Sequence, residues 1–217
     1  MTEAEWLACT DPERMLAFLK GAASDRRCRL FACACCRRVW HQMTSDRSQH
    51  AVEASERFAD GECDTAALQR AQRAANAVCN SYRYRDGDVA WSQAPAASSV
   101  ALVDARTAAV RSSSEIRGPA GKGSRGQVRL LRDIFGNPFR PAVVEPPWRT
   151  PTVLALAQAA YDDRLLPAGT FDLDRLAVLS DALEDAGCDS ADILSHLRGP
   201  GPHVRGCWVV DLLLGKG

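Results

Sequence analysis

The stretch VRLLRDIFGNPFRPAVVEPPWR, residues 128–149, lies between two segments that both have helical patterns. Its first half has apolar residues at helical spacing. Gly136 ends that helix, because glycine adopts the left-handed conformation of a helix C-terminus, and the proline two residues later prevents continuation. Phe135, Phe139 and Trp148 would each be costly to leave in water, at roughly 1.5–3 kcal/mol per side chain. We therefore predict a packed connector over residues 128–149, not a free linker.

Helix signals continue on both sides of this connector. Thr2 with Glu5, Asp11 and Ser24 are N-terminal caps by type and spacing, and the residues after them have apolar residues at helical intervals. Further predicted helices cover residues 25–43, 95–115, 152–161, 173–187, 190–198 and 203–215. No alternating apolar run with hairpin signals competes with them. The sequence therefore predicts an all-α fold, a multi-helix globular bundle.

The domain prediction follows from the connector and from the charge distribution. Net charge is zero, but residues 1–150 carry +5 and residues 151–217 carry −5. We predict an N-terminal Cys/Arg-rich helical half over residues 1–127 that ends in a glycine-rich loop, then the connector, then an acidic helical half over residues 150–217. A single domain is the alternative.

Composition limits the class of protein. The 217 residues are 46% hydrophobic and 25% charged, as in soluble globular proteins. The N-terminus is acidic where a signal peptide would be basic and then apolar, and no apolar run approaches the ~20 residues that span a bilayer. Nine cysteines, an odd number without a secretory signal, indicate reduced thiols. We expect a cytoplasmic protein without a membrane partner.

The predicted helix RLFACACCRRVWH, residues 29–41, carries the densest cluster of reactive side chains. Cys33 and Cys36 form a CxxC pair, and the two arginines that follow would favour a thiolate. A zinc site with Cys33 and Cys36 as ligands is one interpretation, and thiol redox chemistry centred on Cys33, Cys35 and Cys36 is another. Packing is the third, since cysteine is among the most buried residue types and small side chains let helices approach closely. Zinc is the single cofactor that this pattern suggests.

The four histidines form no metal pair or catalytic triad that the sequence alone reveals. Ser195 and His196 are adjacent, and adjacent helical residues do not face each other. His203 would lie beside the first turn of the last predicted helix, where we expect an exposed polar role. No catalytic residue is predicted.

Two charged segments are candidate contact surfaces. One is the acidic face of the helix predicted over residues 173–187, with Asp181, Glu184 and Asp185. The other is the glycine-rich segment 117–127 with Lys122 and Arg125, which we predict to be a solvated loop. It does not match the phosphate-binding pattern GxxxxGK[ST]. Arginine clusters leave a nucleic-acid-associated protein open, although no recognition motif accompanies them.

Four blocks of the sequence are specific enough to suggest a relationship. They are WLACTDPERMLAFLKG (6–21), RLFACACCRRVWH (29–41), LLRDIFGNPFRP (130–141) and HLRGPGPHVRGCWVVDLLLGK (196–216). With them the chain resembles a family of uncharacterised proteins numerous in planctomycete bacteria. The piece DALEDAGC (181–188) is similar to a short helical motif in the domain that accompanies leucine-rich repeats in such bacteria. The resemblance implies a bacterial, cytoplasmic, helical module, and no activity.

Abundant helix signals without a catalytic constellation favour a non-enzymatic scaffold or protein-interaction module, with another protein as its partner. The first alternative is the zinc- or thiol-dependent protein centred on the cysteine helix. The second is the nucleic-acid-associated protein that uses its arginines.

Overall fold

A computed structural model describes residues 1–83, 94–116 and 124–216. These residues form twelve α-helices: α1 (Glu3–Ala8), α2 (Pro12–Phe18), α3 (Asp25–Arg37), α4 (Asp46–Ala59), α5 (Thr65–Arg83), α6 (Ala94–Val100), α7 (Ala105–Ile116), α8 (Ser124–Phe135), α9 (Pro151–Asp162), α10 (Leu173–Asp185), α11 (Ala191–Leu197) and α12 (Trp208–Leu214). Within the same ranges, β-structure is limited to two isolated bridges. The all-α prediction is confirmed. A search of the described helices finds none whose length and apolar character would let it cross a bilayer.

The chain forms two compact units. One, the cysteine-rich unit, is Cys9–Val128, and the other, the C-terminal unit, is Met1–Ala8 together with Arg129–Gly217. The division falls inside α8. The sequence predicts residues 1–8 as part of the N-terminal half, whereas the structure groups them with the C-terminal unit. Arg132 on α8 is one reason, since its guanidinium donates to the backbone carbonyls of Trp6 and Leu7 at 3.0 and 2.7 Å.

Helix α3 lies at the centre of the cysteine-rich unit and packs against α4, α6 and α7. The predicted Ser24 cap is confirmed, because its hydroxyl accepts the Arg27 amide. Ten consecutive or near-consecutive residues of α3 are buried, and most of them are cysteine or alanine. The buried Arg37 guanidinium donates twice to the Glu56 carboxylate on α4, at 2.6 and 2.8 Å. Helix α3 is therefore buried on nearly all of its faces.

The single helix predicted over residues 95–115 is wrong, because the chain breaks it into α6 and α7. The new helix start is capped by Asp104, whose carboxylate accepts the Thr107 amide at 2.6 Å. Two backbone carbonyls at the break, which lack helical partners, accept hydrogen bonds from a side chain. The buried Arg29 guanidinium donates to those of Leu102 and Val103, both at 2.7 Å. A long-range partner that sequence spacing does not reveal thus stabilises the interruption.

Helix α8 begins at Ser124, so the loop predicted through residue 127 is wrong over its last four residues. Gln127 explains the difference, because it is buried and its side-chain amide donates to the Ser113 carbonyl at 2.8 Å. The predicted end of the helix is confirmed. Gly136 follows with φ +64°, and its amide bonds to the Arg132 carbonyl. Trp148, at the far end of the connector, is buried in the core of the C-terminal unit. Phe139 is 37% exposed, so its predicted packing is wrong.

In the C-terminal unit, α10 packs against α9 and α11, and α12 packs against α9 and α11. Buried leucines, valines and aromatic residues of all four helices form one core. The last helix was predicted to begin at His203, but α12 begins at Trp208. Two features displace its start: Val204 forms a β-bridge with Thr170, and Gly206 has φ +95°. His203 and Cys207 therefore lie in a non-helical segment that precedes α12.

Candidate metal centre

Four side chains of the C-terminal unit bring donor atoms to one point: Asp133, His196, His203 and Cys207. One carboxylate oxygen, two imidazole nitrogens and one sulfur all lie within 4.8 Å of one another. Asp133, His203 and Cys207 are buried, and the His196 side chain is 17% exposed. The cluster is thus shielded from water on all but one side.

Separate elements supply these four side chains. Asp133 lies near the end of α8, whose apolar face is buried, and His196 lies in the last turn of α11. His203 belongs to the segment between α11 and α12, and Cys207 is the residue immediately before α12. Asp133 and His203 are 70 residues apart in sequence. The site exists only when the whole unit is folded.

The segment before α12 is held in a shape that turns His203 inward. Gly201 has φ +69°, and a Cβ there would lie 2.8 Å from the His203 amide nitrogen, so no other residue fits without strain. The Gly201 carbonyl accepts a hydrogen bond from the Arg129 guanidinium at 2.6 Å. The His203 carbonyl accepts one from the Phe171 amide at 2.8 Å. Both flanks of the histidine are therefore anchored by backbone contacts.

The donor atoms have the spacing of a four-coordinate metal site. His203 Nδ1 and His196 Nε2 lie 2.9 and 3.2 Å from Asp133 Oδ1. Cys207 Sγ lies 3.2 Å from His196 Nε2 and 4.0 Å from His203 Nδ1. Ligands bound tetrahedrally at zinc distances are about 3.3–3.6 Å from each other. The four atoms thus surround a point that an ion of this size fits after small movements.

His203 faces an acceptor at each ring nitrogen. Nδ1 is 2.9 Å from the Asp133 carboxylate, and Nε2 is 3.2 Å from the Gly199 carbonyl. A neutral imidazole has one N–H and can donate to only one of them. Metal-binding histidines characteristically donate their second nitrogen to a carbonyl, which fixes the tautomer that leaves the first nitrogen for the metal. With a metal bound, the Gly199 contact would hold the proton on Nε2 and leave Nδ1 for the ion. Without one, a doubly protonated ring donates to both Asp133 and Gly199.

The charges in the site depend on one another. Burial alone would raise the pKa of Asp133, but hydrogen bonds from His196 and His203 lower it below its ordinary value. Burial alone would lower the pKa of His203, and its hydrogen bond to Asp133 raises it instead. Burial and the charge of Asp133 hold the pKa of the Cys207 thiol well above its ordinary range. A coordinated metal would deprotonate this thiol outright.

The same residues could be taken for a cysteine–histidine–aspartate catalytic triad, but the geometry argues against it. A triad needs the nucleophile on one imidazole nitrogen and the carboxylate on the other. Here Cys207 and Asp133 both approach Nε2 of His196, at 3.2 Å each. They also approach the same nitrogen of His203, Nδ1. Convergence on one point is the arrangement of a metal site.

The cysteines predicted as ligands lie elsewhere, in the cysteine-rich unit. Cys33 and Cys36 are fully buried on α3, and the Cys33 thiol donates to the Val52 carbonyl at 3.8 Å. Burial raises the pKa of Cys33 to about 12, and it also holds the pKa values of Cys35 and Cys36 well above the ordinary value. Within residues 1–83, 94–116 and 124–216, neither predicted ligand belongs to a group of three or more potential ligands. This favours packing over a metal site, because a zinc ion needs three or four protein ligands at one point. Burial also disfavours redox chemistry, since the reacting species is an accessible thiolate.

The residues predicted as contact surfaces are in part exposed. Asp181 and Glu184 on α10 both pair with Arg198, and Asp185 is exposed. Arg125 is exposed on the first turn of α8. Lys122 lies outside the described residues. Their role in binding a partner stays a prediction.

The expected exposed, polar role of His203 is wrong, since the side chain is 3% exposed. Sequence reasoning missed it because residues 203–207 were assigned to a helix. One signal was present: His203 and Cys207 are four residues apart, and His196 is seven residues before His203. Nothing local links them to Asp133.

Comparisons with known proteins add no further information on function, since no protein-family model, curated protein or solved structure matches the chain. The resemblance to the planctomycete family stays a prediction.

Proposed function

We propose that this protein is a non-enzymatic helical module whose C-terminal unit binds one zinc ion through Asp133, His196, His203 and Cys207. The observation that carries the proposal is the convergence, within 4.8 Å, of four donor atoms from α8, from α11 and from the segment before α12. The module is expected to act by contact with another protein, and the exposed acidic face of α10 is the predicted contact surface.

Zinc is the metal that suits these donors. Imidazole and thiolate ligands together are typical of zinc, whereas magnesium and calcium take oxygen ligands almost exclusively. A carboxylate completes a tetrahedral set at comparable distances. Two neutral histidines with an aspartate and a thiolate also balance the charge of a divalent ion.

A structural role is favoured over a catalytic one. Catalytic zinc sites use three protein ligands and keep the fourth position for water or substrate, whereas structural sites are closed by four protein ligands. Here four donors are available, and three of the four residues are buried. An ion bound by Asp133, His203 and Cys207 would join α8 to the start of α12, which explains why a polar cluster is retained inside an apolar unit.

A calorimetric titration of the reduced, chelator-treated full chain with Zn²⁺ tests the proposal. We expect one zinc per chain for the wild type and for His50→Ala, which removes an exposed histidine of α4. Cys207→Ser changes one atom of the site and should weaken binding by at least about a hundredfold, because loss of a ligand exceeds the 10–100-fold cost of losing an outer-shell contact. His203→Ala should do the same.

Retention of tight zinc binding in Cys207→Ser would overturn the proposal, as would the absence of binding by a folded wild type. Circular dichroism of each variant separates loss of a ligand from loss of fold, because α-helices dominate the spectrum of this chain.

A further inference from the structure

The four ligands do not contribute equally to the choice of metal. Without Asp133, the remaining set is two imidazoles and one thiolate, which is a set that copper sites use. In this chain the three donors still face one another, since Cys207 Sγ lies 3.2 Å from His196 Nε2 and 4.0 Å from His203 Nδ1. The carboxylate is the ligand that makes the site suit zinc in particular.

Monovalent copper prefers soft ligands and forms stable three-coordinate sites. A carboxylate, in contrast, is a hard ligand suited to divalent ions. Asp133 therefore adds much to the affinity for Zn²⁺ and little to that for Cu⁺. Its negative charge acts in the same direction, because a divalent ion gains about twice as much from it as a monovalent ion does.

Asp133 is held in place by contacts that do not depend on a metal. It is 3% exposed, and its second oxygen, Oδ2, accepts the backbone N–H of Val204 at 2.9 Å. The first oxygen, Oδ1, is thereby directed at both histidines. A carboxylate fixed in this way cannot turn aside to leave a three-coordinate site.

We propose that Asp133 is the residue that determines metal selectivity at this site, favouring Zn²⁺ over Cu⁺. The inference rests on the proposed zinc-binding function and adds a role for one ligand among the four. The hydrogen bond from the Val204 N–H would then hold the Asp133 carboxylate in the coordination sphere.

The test is a pair of competition titrations on the full chain, under anaerobic and reducing conditions so that the cysteines stay thiols. One uses a chromophoric zinc chelator with Zn²⁺, and the other uses a chromophoric Cu⁺ chelator with Cu⁺. Asp133→Asn is the informative variant, because its amide oxygen still accepts the Val204 N–H while the charge and the hard ligand are lost. Asp181→Asn removes an exposed carboxylate of α10 and is the matched control.

For Asp133→Asn we expect Zn²⁺ affinity to fall by at least about tenfold to a hundredfold. We expect Cu⁺ affinity to change by less than about threefold, since the thiolate and both imidazoles remain. The ratio of the two affinities should thus fall at least about threefold, and it should be unchanged in Asp181→Asn. Cys207→Ser should lose both metals, which assigns the bound copper to this site and not to the cysteines of α3.

Equal losses of affinity for Zn²⁺ and Cu⁺ in Asp133→Asn, or no loss for either metal, would overturn the selectivity role. Either result would leave the proposed zinc-binding function standing. Failure of the folded wild type to bind Zn²⁺ would instead overturn the proposed function. If Asp133→Asn does not fold, Asp133→Ala takes its place, because it also removes the carboxylate while the other three ligands remain. The same shift in the affinity ratio is expected, and its absence would have the same meaning.

Discussion

Buried cysteine thiols on α3 and ahead of α12 differ in what faces the sulfur. On α3, the Cys33 thiol donates to the Val52 carbonyl, and the Ser55 and Ser112 side chains hydrogen-bond to Cys33 and Cys36. Ahead of α12, a single thiol, Cys207, is faced by two imidazoles and a carboxylate. The density of cysteines along a sequence therefore says little about metal binding. Donors that converge from separate elements indicate it much better.

The two regions also bury carboxylates with different partners. Glu56 accepts two hydrogen bonds from Arg37, which neutralises its charge with a group that cannot bind a metal. Asp133 is faced by histidines, which can give up a proton and bind an ion instead. The Glu56–Arg37 pair is a salt bridge that needs no further partner. Asp133 and its two histidines form an arrangement to which a metal ion could be added.

The largest effect that separates the regions should come from removing the metal. Chelation of zinc from the full chain should lower the stability of the C-terminal unit by about 10 kcal/mol, the lower end of the range for structural zinc sites. Thermal unfolding followed by circular dichroism, with and without Zn²⁺, measures the shift. Identical unfolding curves would contradict a structural role for the ion. Cys33→Ala should show the same metal-dependent shift as the wild type, since its thiol lies in the other region.

A smaller loss is expected from Glu56→Gln in the cysteine-rich unit. This change removes the carboxylate that accepts two hydrogen bonds from the buried Arg37 guanidinium and should cost about 3–5 kcal/mol. Urea denaturation measures the loss, and zinc stoichiometry should stay at the wild-type value. Loss of bound zinc in Glu56→Gln would contradict the expectation that the α3 region and the zinc site are independent.

The smallest effects concern the thiols of α3. With the pKa of Cys33 at about 12, only about one such thiol in ten thousand is ionised at pH 8, and it is fully buried as well. A thiol reagent should therefore react at once with the partly exposed Cys63 and Cys79, and with α3 only after unfolding. Raising the pH toward 12 should increase the reactivity of Cys33, because its thiolate fraction grows as the pKa is approached. Fast labelling of Cys33 in the folded protein at pH 8 would contradict the packing assignment.

Much of the fold was predictable because its signals are local. The Thr2 and Glu5 capping box forms both of its reciprocal hydrogen bonds, and Asp11 and Ser24 cap the helices that follow them. The glycine that ends α8 was also predicted. Each of these features depends on residues within one helical turn, which a sequence displays directly.

The metal centre was not predictable in the same way. Asp133 and His203 are 70 residues apart, and Asp133 has the appearance of an ordinary helical carboxylate. His203 is turned inward by Gly201 and by the bridge between Val204 and Thr170, which are tertiary features. Treating residues 203–207 as a helix concealed the turn that makes the site. The loop predicted before α8 and the unbroken helix over 95–115 failed for the same reason, because the buried side chains of Gln127 and Arg29 decide those boundaries from a distance.

X-ray absorption at the zinc edge of the purified, zinc-loaded wild type tests the central claim most directly, because it counts the sulfur atoms bound to the metal. A site made of Asp133, His196, His203 and Cys207 predicts one sulfur at about 2.3 Å and three nitrogen or oxygen neighbours at about 2.0–2.2 Å. Two or more sulfur neighbours would contradict it and return the metal to the cysteines of α3.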